Sequence, residues 1–417
     1  MDSSQFQYNV KPLLKPFSQD INSPNALPAP SVCVAQQGLA CYTPSEIRTA
    51  YNVPSSMTGA GQTIVIVDAY GSATITADLK TFDRVFHLPD PTFNIIYPSG
   101  PPATTNNGWA GETSLDVEWA HAIAPAATID LVIAPTNFSS DLDIAETYAV
   151  EHHLGSVMSM SYGAPEQAIS GGPHNKYVSH GDVVFQEARE ARITSVAATG
   201  DLGASFGSGA AVANYPSSDP LVTAVGGTNL FMSDAGVYQS EDVWNDTDAS
   251  LCPFGCAYGP FGATGGAPSL LFKRPHYQHE ASAYKTRTVS DVSYDASVYT
   301  AVMVVSSYSD GVPRYYFTGG TSSGTPQWAA IIALADQARG RQIGYVNPAL
   351  YRIADKGSYL SVFHDVTVGQ NALFSDPGFP ASAGYDIPTG LGTPNVTNLI
   401  NALTPQDEEE SDHSSDS

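Results

Sequence analysis

The run Thr318-Gly-Gly-Thr-Ser-Ser-Gly-Thr-Pro-Gln-Trp328 sets a serine where a nucleophile can be made. Tyr315-Tyr-Phe317 reads as the end of a buried strand. Trp328 to Ala338 reads as an apolar helix of strong helix formers. A glycine turn between strand and helix, at Gly319-Gly320, can lift Ser322 into a cleft. The Ser322 hydroxyl would then lie in the positive field of a helix N-terminus, whose first N–H groups have no partners. Such a place can generate a nucleophile and hold an oxyanion. Pro326 is expected in the first turn of that helix, where no N–H is needed. The plain alternative is that Ser322 merely caps a core helix.

A serine hydroxyl needs a base to take its proton. Asp68 and His121 stand with Ser322 in the subtilisin order Asp, His, Ser. His121, however, lies in Glu118-Trp-Ala-His-Ala-Ile-Ala and not in a glycine-rich helix start that would expose an imidazole. The stronger pair is Glu112 and Asp116, four residues apart and so on one face of a helix. Two close carboxyls resist double ionisation, and their proton uptake is coupled. One pKa is pushed up, which suits a group that accepts and returns a proton in acid. The alternative for this pair is an exposed acidic face near a helix N-terminus. A third carboxylate, Asp201, follows the apolar run Ile193–Ala198 in Gly200-Asp-Leu-Gly203. That places it at a C-terminal strand edge, in a dipeptide context also common in ordinary turns.

These residues need a frame to hold them. Thr63-Ile-Val-Ile-Val67 is a short continuous apolar run, the mark of a strand buried on both faces. Helical patterns near 75–86, 111–123, 139–153 and 178–192 alternate with strand-like runs at 93–97, 128–134, 156–161 and 193–198. Alternation of this kind predicts an α/β fold with a mostly parallel, doubly wound sheet, and sites at the C-terminal strand ends. Thr43, Pro44 and Glu46 form a helix-start signal. From about 230 to 317, glycine, aromatic and β-branched residues predict hairpins and long loops, with Ala301–Val305 the clearest strand. Short helices are expected near 347–354 and 394–403, flanking a loop region at 361–393. Residues 1–32 read as a polar, proline-dotted linker or propeptide remnant, 33–404 as one large catalytic domain, and 405–417 as an acidic disordered tail.

The chain has 41 acidic against 17 basic residues, a net charge of −24. Such a surface repels nucleic acid and anionic membranes, so neither is an expected partner. Protonation of these carboxylates in acid brings the charge toward zero, which suits an acidic environment. Only 14% of residues are charged, which leaves room for a large core. Cys33 with Cys41 and Cys252 with Cys256 form two close pairs, most simply two local disulfides of an oxidising compartment. No histidine sits at zinc-ligand spacing beside them. No apolar run of about 18 residues predicts a membrane span, and no signal-peptide pattern opens the chain.

Glu-x-x-x-Asp at 112–116, Gly-Asp-x-Gly at 200–203 and Gly-Thr-Ser-x-x-x-Pro at 320–326, in this order, make a far more specific signal than any one of them. Together they resemble the sedolisin family, the serine-carboxyl peptidases with a subtilisin-like fold. Thr43–Pro54, Val225-Gly-Gly-Thr228 and Ser290-Asp-Val-Ser-Tyr-Asp-Ala296 agree, so the resemblance covers roughly residues 33–404. It implies Ser322 as nucleophile, Glu112 as general base, Asp116 as its coupled partner and Asp201 as the acid of the oxyanion hole. It implies protein or peptide substrates, an N-terminal propeptide before maturation, and secretion or residence in an acidic compartment. A monomer is expected. Endopeptidase and tripeptidyl-aminopeptidase action both occur on this fold.

The resemblance also places one structural calcium ion near the C-terminus. Its ligands would be the side chains of Asp365 and Asp386 and the carbonyls of Val366, Ser382 and Gly384. Acids and glycine-rich loops supply the hard oxygens that calcium takes. Two positions depart from the family pattern. Asp68 stands where many relatives carry Glu, and Tyr162 where many carry Trp. Both bear on subsite preference rather than on the reaction. Asn137, Asn245 and Asn395 begin glycosylation sequons, meaningful in a eukaryotic secretory host.

Overall fold

Thr63–Ala69 is a strand because its β-branched residues alternate between two buried layers. Ile64 and Ile66 join the core beneath the helices Asn107–Ile123 and Thr321–Arg339, while Val65 and Val67 join a second core beneath Ser139–Glu151 and Asn175–Glu190. A strand that must fill both layers has no polar face, which explains the continuous apolar run. The computed structural model describes residues 13–16, 27–169, 175–355 and 357–404. The acidic tail read at 405–417 lies outside them.

The main sheet runs in the order Tyr238–Val243, Val222–Met232, Thr194–Ala198, Val157–Met160, Thr63–Ala69, Thr128–Ala134, Phe93–Ile96. Every pairing in it is parallel except that of Tyr238–Val243, which turns back along Val222–Met232. Val292–Asp295 adds a further parallel strand, with Val292 opposite Val225 and Asp295 opposite Thr228. The single domain is α/β, as the alternation predicted.

Beyond residue 230 the expected hairpins form. Val302–Ser306 pairs antiparallel with Arg314–Gly319, the strand that leads into the Ser322 turn. Leu13–Pro16, expected to be linker, pairs antiparallel with the other edge of Arg314–Gly319. The helix-start signal at Thr43 is a capping box closed by the Glu46 carboxylate on the Thr43 N–H at 2.8 Å. Cys33–Cys41 and Cys252–Cys256 are the two disulfides. The long helix Thr321–Arg339 is buried through Asp336 and packs directly on Asn107–Ile123. Trp328 Nε1 donates to the Ser293 carbonyl at 3.0 Å and Trp119 Nε1 to that of Met303 at 3.0 Å, so these two indoles are satisfied.

Candidate active site

Gly320 has φ 106°, a conformation L side chains rarely adopt. A Cβ there would also lie 2.7 Å from Asp201 Oδ2. Glycine therefore lets the turn close against Asp201. The helix begins at Thr321 with Gly320 as its N-cap, so Ser322 is the second helical residue and not a cap. At that position its N–H has no partner within the helix. The expected place of Pro326 was wrong: the helix starts early enough to put Pro326 inside it, as the sixth residue. Proline has no N–H, so the Ser322 carbonyl loses its helical partner. The Ser322 side chain is 7% exposed, at the floor of an open cleft.

Glu112 and Asp116 lie on Asn107–Ile123, whose N-cap Asn106 accepts from the N–H groups of Gly108 and Trp109. The exposed acidic face considered for them is absent. Glu112, Asp116 and the intervening Thr113 and Ser114 are all fully buried. Asp68, at the end of the first strand, is buried beside them and completes a group of three carboxyls. Burial raises the Glu112 pKa well above the usual range, and the charges of Asp68 and Asp201 add to this; the Ser322 hydroxyl opposes it. Burial does the same for Asp116, reinforced by Asp68 and Glu112 and opposed by the Ser161 hydroxyl, which donates to Asp116 Oδ1 at 2.9 Å. Burial pushes Asp68 up to about 7, opposed by Thr113. The group therefore shares protons throughout the acid range.

Glu112 faces the Ser322 hydroxyl, but neither Glu112 oxygen closes a hydrogen bond of ordinary geometry with a described residue. Ser322 Oγ instead donates weakly to the Ser161 carbonyl at 3.5 Å. A resting site of this kind tightens when substrate arrives.

Asp201 closes the other side. Its Oδ1 accepts from the Thr321 N–H at 2.8 Å and from the Thr321 hydroxyl at 2.9 Å, and the Gly200 N–H donates to Thr321 Oγ1 at 3.0 Å. A cavity of about 120 Å³ opens before these groups, walled by Ser161, Tyr162, Leu202, Phe206 and Asn214 among others. Carboxyls, serine and cavity all meet at C-terminal strand ends, as the sheet topology requires.

No family model matches the chain. Kumamolisin from Bacillus sp. (strain MN-32) is 33% identical over 384 residues, 87% of this chain and 64% of its own length. Tripeptidyl-peptidase 1 from Mus musculus is 27% identical over 395 residues, with 87% and 64% covered. The chain thus spans less than two thirds of these relatives. Among solved structures, Pseudomonas sedolisin, a serine-carboxyl proteinase complexed with pseudo-iodotyrostatin, superposes with a TM-score of 0.75 at 26% identity, covering 88% of this chain and 98% of the other. The chain is homologous to kumamolisin and sedolisin over most of its length. Its fold is accordingly the subtilisin-like one.

In this sedolisin homologue the subtilisin alternative for the base does not assemble. His121 Nε2 lies 3.1 Å from Asp83 Oδ1, with both side chains buried. It also sits nine residues beyond Glu112, about 13 Å along the helix at 1.5 Å per residue. Asp68 faces Glu112 and Asp116 rather than an imidazole. Two contributors escaped the sequence reading. Thr321 ties Asp201 to the nucleophile turn, and Ser161 ties Asp116 to the neighbouring strand end. The place of Thr321 beside Ser322 was a signal for it; Ser161 carries no local signal, since its partner is 45 residues away.

The loops expected to hold calcium bring Asp365 and Asp386 together. The Gly384 N–H donates to both Asp365 oxygens at 3.1 and 3.0 Å, and Asp386 accepts from the Ser382 and Thr389 N–H groups at 2.9 Å each. Burial, with Asp365 adding, pushes Asp386 up to about 6. Among the described residues no group of three or more His, Cys, Asp or Glu could hold a metal. A cation here would need carbonyl oxygens besides the two carboxylates. That donor set, with Val366, Ser382 and Gly384, fits calcium and not zinc.

Proposed function

We propose that this chain is an acid-acting serine-carboxyl peptidase that hydrolyses peptide bonds in proteins or peptides. The observation that carries the reading is the Ser322 hydroxyl, set at a helix start and facing Glu112 in a fully buried carboxyl group, while His121 is committed to Asp83. Glu112 takes the Ser322 proton as Oγ attacks the substrate carbonyl carbon. Asp116 and Asp68 share the proton load. The carbonyl oxygen becomes an oxyanion, received by the Ser322 N–H and a protonated Asp201. Glu112 then passes its proton to the leaving amine nitrogen as the C–N bond breaks. Water attacks the acyl-enzyme in the reverse sequence, losing a proton to Glu112, and Ser322 Oγ leaves with it.

The test is kcat/KM from about pH 2 to 9 for the wild type, Asp201→Asn and His121→Ala. The wild type should peak well below neutrality, because Asp201 must keep its proton to donate. Asp201→Asn should lower kcat by up to about 10²–10³ and flatten the alkaline limb. His121→Ala should keep the wild-type profile. A neutral maximum with His121→Ala dead and Asp201→Asn active would replace this reading with a histidine-based one.

The same reading places the protein outside the cell or in an acidic compartment, as a monomer matured from a propeptide-bearing precursor. It also assigns a structural calcium to Asp365, Asp386 and the carbonyls of Val366, Ser382 and Gly384. The loop they form donates to the Asp291 carbonyl from the Leu391 N–H at 2.7 Å, and Ile387 accepts from the Ser290 N–H at 2.8 Å. Those bonds brace the strand against which Trp328 of the nucleophile helix is fixed. Excess chelator at a pH where both carboxylates are ionised should therefore lower the melting temperature, and added calcium should restore it. An unchanged melting temperature would remove the site.

A further inference from the structure

Ser161-Tyr162-Gly163 leaves the strand Val157–Met160 and forms one wall of the cavity in front of Ser322. Ser161 holds Asp116 through its hydroxyl and receives Ser322 Oγ at its carbonyl. Tyr162 is 2% exposed, with its ring against Trp109, ring centroids 6.1 Å apart. Trp109 opens the helix that carries Glu112 and Asp116. The Tyr162 hydroxyl donates to Glu146 Oε1 at 2.6 Å. Glu146 is itself 2% exposed, on the helix Ser139–Glu151. Asp143, one helical turn earlier, is buried as well, so two carboxyls share this site.

Tyr162 thus anchors on a buried carboxyl with a second one beside it, and buried carboxyls are costly to place. Burial, then Glu146, push Asp143 up to about 9, and burial pushes Glu146 up to about 7 against the Tyr162 bond. The pair thus keeps at least one proton throughout the acid range, and Glu146 remains an acceptor for Tyr162. The peptidase reading given above uses neither residue.

We propose that Glu146, backed by Asp143, is a positioning residue: through the Tyr162 hydroxyl it fixes the Ser161–Gly163 wall and so sets which substrate side chains the cavity accepts. The proposal rests on Ser322 being the nucleophile. A ring packed at a tilt against Trp109 and held by Glu146 at its hydroxyl steadies the backbone beside it; released at the hydroxyl, the wall can shift. A misplacement of about 1 Å near a reacting centre can cost on the order of 10² in rate. The apolar part of the wall, with Leu202 and Phe206 opposite, favours a bulky apolar side chain.

The experiment compares kcat and KM for two quenched peptides that differ only in Phe or Ala at the residue donating the acyl group. Tyr162→Phe and Glu146→Leu should each lower the Phe-to-Ala ratio of kcat/KM by about tenfold, chiefly through KM for the Phe peptide. The double variant should be no worse than either single one, because both break one bond. Glu146→Gln, whose amide oxygen still accepts, should restore the ratio to within about twofold. A merely structural role would lower the melting temperature and scale both peptides equally. An unchanged ratio in Tyr162→Phe and Glu146→Leu, with Ser322→Ala inactive, overturns this proposal alone. An active Ser322→Ala overturns the nucleophile assignment instead.

Discussion

Replacement of Ser322 by alanine is expected to remove peptide hydrolysis while leaving the melting temperature within a few degrees of wild type. The side chain contributes little packing: its one hydrogen bond among the described residues, to the Ser161 carbonyl, is long at 3.5 Å. Its catalytic loss is large because the acyl-enzyme route has no substitute for Oγ. Loss of the nucleophile in a serine peptidase costs on the order of 10⁶ in kcat. Glu112→Gln should fall by a similar order, since an amide cannot take the hydroxyl proton and His121 is paired with Asp83. The two losses should not add, because both groups act in one proton transfer. Rates should be measured at the acid optimum, with far-ultraviolet circular dichroism and thermal melts to certify the fold. Activity above a few per cent of wild type in Ser322→Ala would end the assignment.

The second large effect concerns stability. The fold is expected to lose several kcal/mol between about pH 4 and 7, because many of its carboxyls are buried in neutral form. Burial pushes Glu241 up to about 7 although Thr393, Tyr51 and Thr228 hydrogen-bond to it, and burial pushes Asp242, Asp246 and Asp336 each up to about 6. Each folded pKa lies above its unfolded value near 4, so the folded state binds more protons across that window. Stability is then full below about pH 4 and falls as pH rises toward and through the folded pKa. Glu241 alone, raised from 4.5 to about 7, corresponds to roughly 3 kcal/mol as an upper bound. The buried carboxyls Asp68, Glu112 and Asp116 shift in the same direction. At roughly 2 °C per kcal/mol, the melting temperature should drop by about 10 °C or more from pH 4 to 7.5. Glu241→Gln, which cannot titrate, should flatten part of that drop. A melting temperature that holds steady or rises over the same range would contradict the protonation states assigned to these groups.

Local pattern determined much about this protein. The alternation of apolar runs and helical periods is set by what each segment must bury, and it placed the parallel sheet and its flanking helices. The glycine turn before Ser322 and the four-residue spacing of Glu112 and Asp116 are equally local, and the motif order that marks the family follows from them. Tertiary structure decided what those residues face. Whether Glu112 and Asp116 meet water or a buried cluster depends on the helix Thr321–Arg339 and on Asp68, which arrive from distant parts of the chain. The same is true of His121, whose imidazole is claimed by Asp83 on a neighbouring helix. Pro326 was misplaced because the helix begins five residues before it, at Thr321, and accepts the loss of the Ser322 carbonyl's helical bond that an interior proline imposes. Spacing along the chain fixes which side chains share a face; only packing fixes what lies across from that face, and with it the dielectric that sets each proton's place.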